Sequence, residues 1–435
     1  MKKTLTLLTV IAVQLTSINI VNAQFTLSGE FRPRTEYTHG YKALPNLDQE
    51  PGFFTSQRSR VNLKQVTSNY TFYLCLQDVR TWGSQPQLVT NDGALTTFHE
   101  AWGMAHLNKN WKLKLGRQEI NLDDQRIFGA VGWAQQARSH DAALFNYQND
   151  SATFKAQIGL AYNQPMPQFN TNIYNVAKSY KTFQYVWLHK NWNNFNASLL
   201  ALNIGQDAIK AKSHNTVFNQ TLGGRLVYKK GKSQVAAALY HQMGLTGDTL
   251  NTKLSAQLAS IDYGLQVNKK LGIGAGYEYI SGQSQTSTDA NYYSTQRAFN
   301  PYFGTNHKFN GFMDYFYVGN HIGSVGLQDV NVKAKMKNNG WTFGLAAHYF
   351  MAANEVLNLE KFNADGSIES LDNYLGTEID FSVGTTISKT VKVNFLYAQM
   401  LGSETLETVK LGGDKDAFSN YAYIEFIFKP TFLTQ

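Results

Sequence analysis

The sequence predicts an all-β protein, a transmembrane antiparallel β-barrel of about 18 strands, on three observations. An export leader opens the chain, strand-length runs of period two fill the rest, and the connections between runs alternate between short and long. Composition agrees. The 435 residues include 27 Phe, 24 Tyr and 7 Trp but only 16% charged residues, and the mean hydropathy is −0.34. That aromatic content excludes a disordered chain, and the single Cys75 excludes a disulfide scaffold. No segment after the leader approaches the roughly 18 consecutive apolar residues of a membrane helix. A barrel dilutes its apolar residues one in two along each strand, which reconciles many aromatics with a hydrophilic average.

In the leader, Lys2 and Lys3 precede a largely apolar or hydroxylated run from Leu5 to Val21, followed by Val21-Asn22-Ala23 before Gln24. This is the pattern of a secretory signal peptide, residues 1–23, leaving 24–435 as a single barrel domain. Gln14 and Asn19 interrupt the run and argue against a permanent helical anchor. Cys75 is remote from the cleavage site, so a lipid anchor is not expected, and its neighbours Leu74 and Leu76 make it a packed residue. The formal charge is +8, or +6 without Lys2 and Lys3. On an exported protein that excess points to anionic solutes and anionic lipid surfaces, including lipopolysaccharide, and not to nucleic acid.

Short links are expected at 67–69, 108–110, 148–150, 192–194, 229–232, 268–270, 337–340 and 388–390. Longer stretches rich in Gly, Asn, Asp, Thr and Pro fall near 39–52, 80–96, 120–137, 164–180, 206–216, 244–251, 283–326, 353–372 and 403–416. Eight short and nine long links join 18 strands and put both termini on the short-turn side. That asymmetry belongs to barrels of the Gram-negative outer membrane, with short periplasmic turns and long extracellular loops. The first strand alternates Phe25, Leu27, Gly29 and Phe31 with Thr26, Ser28, Glu30 and Arg32. Later, Trp341, Phe343, Leu345, Ala347 and Tyr349 share one face, as do Ala422, Ile424, Phe426 and Phe428. A soluble sandwich also alternates, but its strands average about five or six residues, against the roughly 9–11 that cross a bilayer. Leu254-Ala256-Leu258 and Ile261-Tyr263-Leu265-Val267 are out of step, which predicts a bulge near Ser260. Trp111, Trp192, Phe195 and Trp341 sit beside short links, where an interfacial girdle is expected.

Charge placement is the functional signal. Of ten arginines, eight lie between residues 32 and 138: Arg32, Arg34, Arg58, Arg60, Arg80, Arg117, Arg126 and Arg138. Arg32/Arg34 and Arg58/Arg60 have i, i+2 spacing, which puts both members of a pair on one strand face. Facing lipid, each would cost a few kcal/mol near the midplane, so the lumen is their expected side. Glu30, Glu36, Asp78, Glu100, Asp123, Asp124 and Asp141 share the region. One reading is a charged constriction that attracts anions through guanidinium forks. The other is a wall whose charges pair simply to stay compensated. Arg117 fits less well, because it continues the apolar phase of Trp111, Leu113 and Leu115.

The stretch Asn121–Trp133, with Asp123, Asp124 and Arg126, reads either as a loop folded into the pore or as a surface loop packed on its own aromatics. The longest connection, 283–326, mixes turn residues with aromatics and carries His307, Lys308 and Asp314, as an ordered plug or lid would. Catalytic signals are weaker. His99/Glu100 and His140/Asp141 are adjacent pairs expected to point to opposite faces, and HExxH, GxSxG and CxxC motifs are absent from the sequence. A hydrolase assembled across strands stays open as an alternative class, as does an adhesion or structural barrel. Asp123 and Asp124 lack EF-hand spacing, and no metal or cofactor is expected.

Phe31-Arg32-Pro33-Arg34-Thr35-Glu36-Tyr37, Ser56-Gln57-Arg58-Ser59-Arg60, Leu115-Gly116-Arg117-Gln118-Glu119, Asp124-Gln125-Arg126 to Asp141, and Gly304–Asn320 together resemble the alginate export family. The resemblance implies an 18-stranded monomeric outer-membrane channel. Its electropositive constriction would pass an acidic polysaccharide built from uronic acids, with periplasmic secretion partners as a further implication. Beyond residue 138 only Arg225 and Arg297 remain, so the positive wall is one-sided, whereas the family's export channel is arginine-rich around more of its pore. The expected function is therefore an outer-membrane channel for an anionic polysaccharide or smaller anionic solutes, with a general porin of little selectivity as the alternative.

Overall fold

The computed structural model describes residues 23–87, 96–170, 174, 176, 180–210, 213–247, 252–316, 321 and 323–435. The expected leader up to residue 22, the tip of the 80–96 connection, parts of 164–180, 206–216 and 244–251, and the end of Gly304–Asn320 lie outside the described residues. The chain forms one antiparallel sheet closed on itself. Its strands are β1 (Gln24–His39), β2 (Gly52–Val66), β3 (Tyr70–Thr81), β4 (Thr96–His106), β5 (Trp111–Gln118), β6 (His140–Gln148), β7 (Phe154–Tyr162), β8 (Thr182–Trp192), β9 (Phe195–Lys210) and β10 (Ser213–Lys230). They continue as β11 (Ser233–Leu245), β12 (Lys253–Gln266), β13 (Leu271–Ile280), β14 (Thr295–Gln296), β15 (Leu327–Asn338), β16 (Trp341–Met351), β17 (Tyr374–Ser388), β18 (Val391–Gly402), β19 (Ser419–Phe428) and β20 (Thr431–Thr434).

Closure is made by β1 and β19, in register from Phe31↔Phe428 to His39↔Asn420. β20 prolongs the last strand along the start of β1, Thr26↔Thr434, after an interruption at Pro430, which has no N–H to donate. β14 is a two-residue parallel bridge to β12 within the longest connection. Eighteen strands therefore build the wall. A closed barrel leaves no edge strand, so every wall strand finds its backbone partners within the sheet.

Period two sets the faces. On β1, Glu30, Arg32, Arg34 and Glu36 are buried toward the interior while Phe31 is 39% exposed. Leu222, Leu226, Leu239, Ile261, Val330, Val332, Leu345, Ile379, Phe381 and Ile424 are all exposed on the outer surface. Such an apolar band is the lipid face of a spanning barrel. Trp111, Trp192, Phe195 and Trp341 are exposed at the short-turn rim. There Trp111 leans on Tyr147 at 4.9 Å and Phe195 on Tyr228 at 4.6 Å between ring centroids.

Three local expectations change. The long connection expected at 206–216 is mostly strand, because β9 and β10 keep pairing to Lys210↔Ser213; a hairpin that satisfies its own ladder can project beyond the wall without an apolar face to announce it. The ladders flanking Ser260 run unbroken on both sides, so there is no bulge there. Leu254, Ala256 and Leu258 are buried inside and Ile261 and Tyr263 are exposed outside; both faces are apolar, at different heights, because the lumen holds a core of its own. Register shifts lie elsewhere, and one of them bears on the charges. The β3–β4 register passes from Cys75↔Glu100 to Leu76↔Phe98, leaving His99 as the extra residue. It turns His99 and Glu100 to the same side, with donor atoms close to those of Glu119.

That inner core is made by two connections folded into the barrel, 119–139 and the described part of 281–326. Phe128 is fully buried among Phe183, Tyr185, Phe303 and His140. The two loops cross at a pair of glycines. A Cβ on Gly129 would lie 2.2 Å from Thr305 Oγ1, and one on Gly304 would lie 2.3 Å from the Arg126 carbonyl. This contact lets the Gly129 N–H donate to the Phe303 carbonyl at 2.8 Å and the Thr305 N–H to the Gln125 carbonyl at 2.9 Å. Two short helices, α1 (Leu359–Asp365) and α2 (Glu404–Lys410), lie in long connections. Each is capped by a side chain, of Asn358 and Ser403, that accepts from a first-turn N–H.

Candidate functional site

The arginines of β1 and β2 face the interior, where the 119–139 loop occupies Arg32, Arg34 and Arg58. Arg32 donates to the carbonyls of Gly132 at 2.8 Å and of Trp133 and Ala134 at 3.0 Å each, and its Nε to Gln135 Oε1 at 3.0 Å. Arg34 donates to the Trp133 carbonyl at 2.8 Å. Arg58 reaches the Gly132 and Ala134 carbonyls at 3.2 Å. Acids complete the shell. Arg32 pairs with Glu425 at 3.4 Å, Arg34 with Glu36 at 3.1 Å, and Arg58 with Glu30. Glu30 is also 3.2 Å from Lys429. Each of the three arginines is about 5% exposed or less. The run they clasp is bounded by Val131 and Ala137, both at positive φ (51° and 55°). A β-branched residue rarely adopts that conformation, and the surrounding hydrogen bonds hold it in place.

The remaining charges named from the sequence, apart from Arg138 and the longest connection, fall into four groups. Arg60 donates to Gln77 Oε1 at 2.8 Å, and Arg80 pairs with Asp78 at 2.7 Å nearer the long-loop rim. Glu100 accepts from Trp102 Nε1 and the Glu119 N–H, beside His99, which is 2.8 Å from Glu119. In the loop, Asp124 pairs with Arg225 at 2.9 Å, and Arg126 pairs with Glu278 while its guanidinium lies 3.3 Å over the Phe309 ring. Asp123 accepts from Trp187 Nε1 at 3.1 Å, and burial raises its carboxyl above the usual range. Arg117 and Asp141 pair at 2.9 Å as exposed residues at the rim.

Among the described residues, two cavities lie against the 119–139 loop. One, of about 560 Å³, is lined by Arg34, Glu36, Lys42, Arg80, Trp133, His307 and Asp314, among others. The other, of about 880 Å³, is lined by Arg117, Asp141, Tyr180, Asp207, Tyr302 and Phe303, among others. Arg138 borders both. Its Nη1 donates to the Gly304 carbonyl at 3.1 Å, and among the described residues no carboxylate pairs with it. Burial pushes its guanidinium down to about 10, so it stays cationic at neutral pH.

The longest connection carries its named residues into the same space. The Trp133 ring stacks on His307 with centroids 3.4 Å apart, and His307 Nδ1 is 2.7 Å from Asp314. Lys308 donates to the Asp124 carbonyl at 3.0 Å. Further round the wall from β1, beyond β19 and β18, stands a row of acids that sequence reasoning missed: Glu278, Asp329, Glu378 and Asp380, on β13, β15 and β17, each at most 4% exposed. The signal was available in Glu378/Asp380, which has the same i, i+2 spacing as the arginine pairs.

A closed wall of 18 strands with an apolar outer belt, two inward loops and a charged lumen defines an outer-membrane channel fold. The chain belongs to the alginate export family, whose model matches residues 24–408. Solved structures share the architecture at low identity. OccAB4 of Acinetobacter baumannii superposes with a TM-score of 0.62 at 11% identity, covering 94% of this chain and 98% of that one. OccK3 (OpdO) of Pseudomonas aeruginosa gives 0.59 at 11% identity, with coverage of 94% and 96%. OpdK of the same organism, with vanillate, gives 0.59 at 8% identity, with coverage of 93% and 99%. A comparison with curated protein sequences finds no significant match. The protein is accordingly a β-barrel of the Gram-negative outer membrane, its short turns periplasmic and its long loops extracellular.

Proposed function

We propose that the protein is a passive channel for anionic solutes, an acidic polysaccharide or smaller anions, in which Arg138 is the guanidinium that meets the solute. The observation that carries this reading is the position of Arg138 between the two lumen cavities with no carboxylate partner among the described residues. A guanidinium bordering open space, held by one backbone carbonyl, keeps donors for a carboxylate or phosphate. Family membership supports a polyuronate as the polymer, and the vanillate held by OpdK, itself an anion, supports smaller carboxylates.

A less selective porin is the second reading. It is favoured by the pairing of Arg32, Arg34 and Arg58 with Glu425, Glu36 and Glu30, which compensates most of that wall's charge. Reversal potentials in planar bilayers under a salt gradient separate the two. The proposal expects anion preference in the native channel, reduced at least about twofold by Arg138→Gln and largely retained by Arg138→Lys. Cation preference in the native channel, or an Arg138→Gln channel with unchanged selectivity, would sink it. Current block by an oligouronate, absent with a neutral oligosaccharide of equal length, would assign the polymer.

A further inference from the structure

The acidic row on β13, β15 and β17 bears on the same selectivity. Glu278 and Asp329 stand opposite each other in register on β13 and β15, as do His348 and Glu378 on β16 and β17. Asp380 lies two residues further along, 3.9 Å from His348. Left open to the lumen, this row would add four carboxyls to the wall of the conduction path. It is instead covered by residues 305–316 of the longest connection, which dock on the acids themselves. Asn310 donates to Glu278 at 3.0 Å and to Asp329 at 3.1 Å, and the Met313 N–H donates to Glu378 at 2.7 Å. His348 holds Asp329 at 2.9 Å, and Arg126 reaches Glu278 from the other loop. The cover is also anchored to the connection that follows β1, where the Lys42 N–H donates to the Met313 carbonyl at 2.9 Å and Tyr41 donates to Asp314.

We infer that segment 305–316 is a specificity element: by covering the Glu278/Asp329/Glu378/Asp380 wall it keeps a row of carboxylates out of the conduction path. This rests on the anion-channel reading above and adds the reason an evenly charged barrel can favour anions. Covered, the acids are spent on docking the segment. Uncovered, they would face the pore as hydrated carboxylates, repelling anions and recruiting cations.

Gly311 provides a test that alters no charge. It sits at φ +78°, and a Cβ there would lie 2.4 Å from the Glu378 carboxyl, so Gly311→Val forces the segment off its dock. In planar bilayers, Gly311→Val should raise conductance and lower the anion-to-cation permeability ratio at least about threefold. Neutralising the wall in that background (Glu378→Gln, Asp380→Asn, Asp329→Asn) should restore the ratio while conductance stays high. Replacing 305–316 by a Gly-Ser linker of equal length is the second way to uncover the wall, with Lys308→Gln alone as control for the lysine it removes. The inference is overturned if neither variant moves the ratio toward cations, or if the shift persists after the wall is neutralised. Native reversal potentials test the anion reading separately, since a native channel without anion preference would remove that reading whatever the variants do.

Discussion

Arg32, Arg34 and Arg58 act through backbone carbonyls rather than through the open pore. Hydrogen bonds to a charged donor contribute roughly 1.5–3 kcal/mol each, and these three side chains together clasp the Gly132–Gln135 run. Arg58→Met, which removes the charge and keeps bulk, should loosen the 119–139 loop, with noisier currents and a conductance rise of up to about twofold. Limited trypsinolysis after Arg126 or Arg138 would report the same undocking. Quiet currents and an uncleaved loop would mean that Arg32 and Arg34 suffice. At this scale the sequence was legible in part. The i, i+2 spacing puts these arginines inside, but a carbonyl acceptor leaves no trace in residue identity, so nothing in the sequence shows that the loop takes up these guanidiniums while Arg138 borders the open space.

Among the elements, the extracellular connections hold one another in place. α2 ends at Lys410, which donates to the Tyr315 carbonyl and lies 5.2 Å over the Phe316 ring, against the segment that covers the acidic wall. Burial pushes its ammonium down to about 7, against about 10.4 in an undocked chain. Between those values the open form binds a proton that the docked form does not, so docking strengthens as pH rises from about 7 to about 10, by on the order of a few kcal/mol, and is weakest below 7. Hydrogen-exchange protection of the 310–316 amides, corrected for intrinsic rate, should rise across that window, and Lys410→Met should make it flat. Protection that falls with pH in the native protein would contradict this. The plug character of 283–326 was legible in its aromatics and turn residues. The glycine crossing of the two loops was not, because Gly129 and Gly304 acquire meaning only from each other.

For the whole molecule, closure depends on how the last strand meets the first. After Pro430 the chain resumes pairing: the Gly29 N–H donates to the Pro430 carbonyl, and Phe25 and Gln435 exchange N–H···O bonds at 2.9 Å. The Phe432 ring lies over Gly29, within 3.0 Å of where a Cβ would stand, a packing that covers bare backbone on a glycine-bearing strand. Removing Thr431–Gln435 strips partners from the periplasmic end of β1, at about 0.5–1.5 kcal/mol per hydrogen bond and more where water is scarce. The truncated barrel should unfold from detergent micelles at a clearly lower urea midpoint, with pore conductance unchanged once folded. An unaltered midpoint would show that β19 alone closes the barrel.

The sequence by itself determined the class of fold, the strand count, the outward face of the cleanly alternating strands such as β1 and β16, and the inward setting of the first arginines. Each of these depends on local periodicity or on the length of a connection, and both are written along the chain. Only the tertiary structure decided which charges are spent and which stay available. Arg32 and the Gly132 carbonyl are 100 residues apart, and Arg126 and Glu278 are 152 apart. A barrel brings such groups together by curvature and by loops folded inward. That juxtaposition follows from closing the sheet, and no local pattern encodes it.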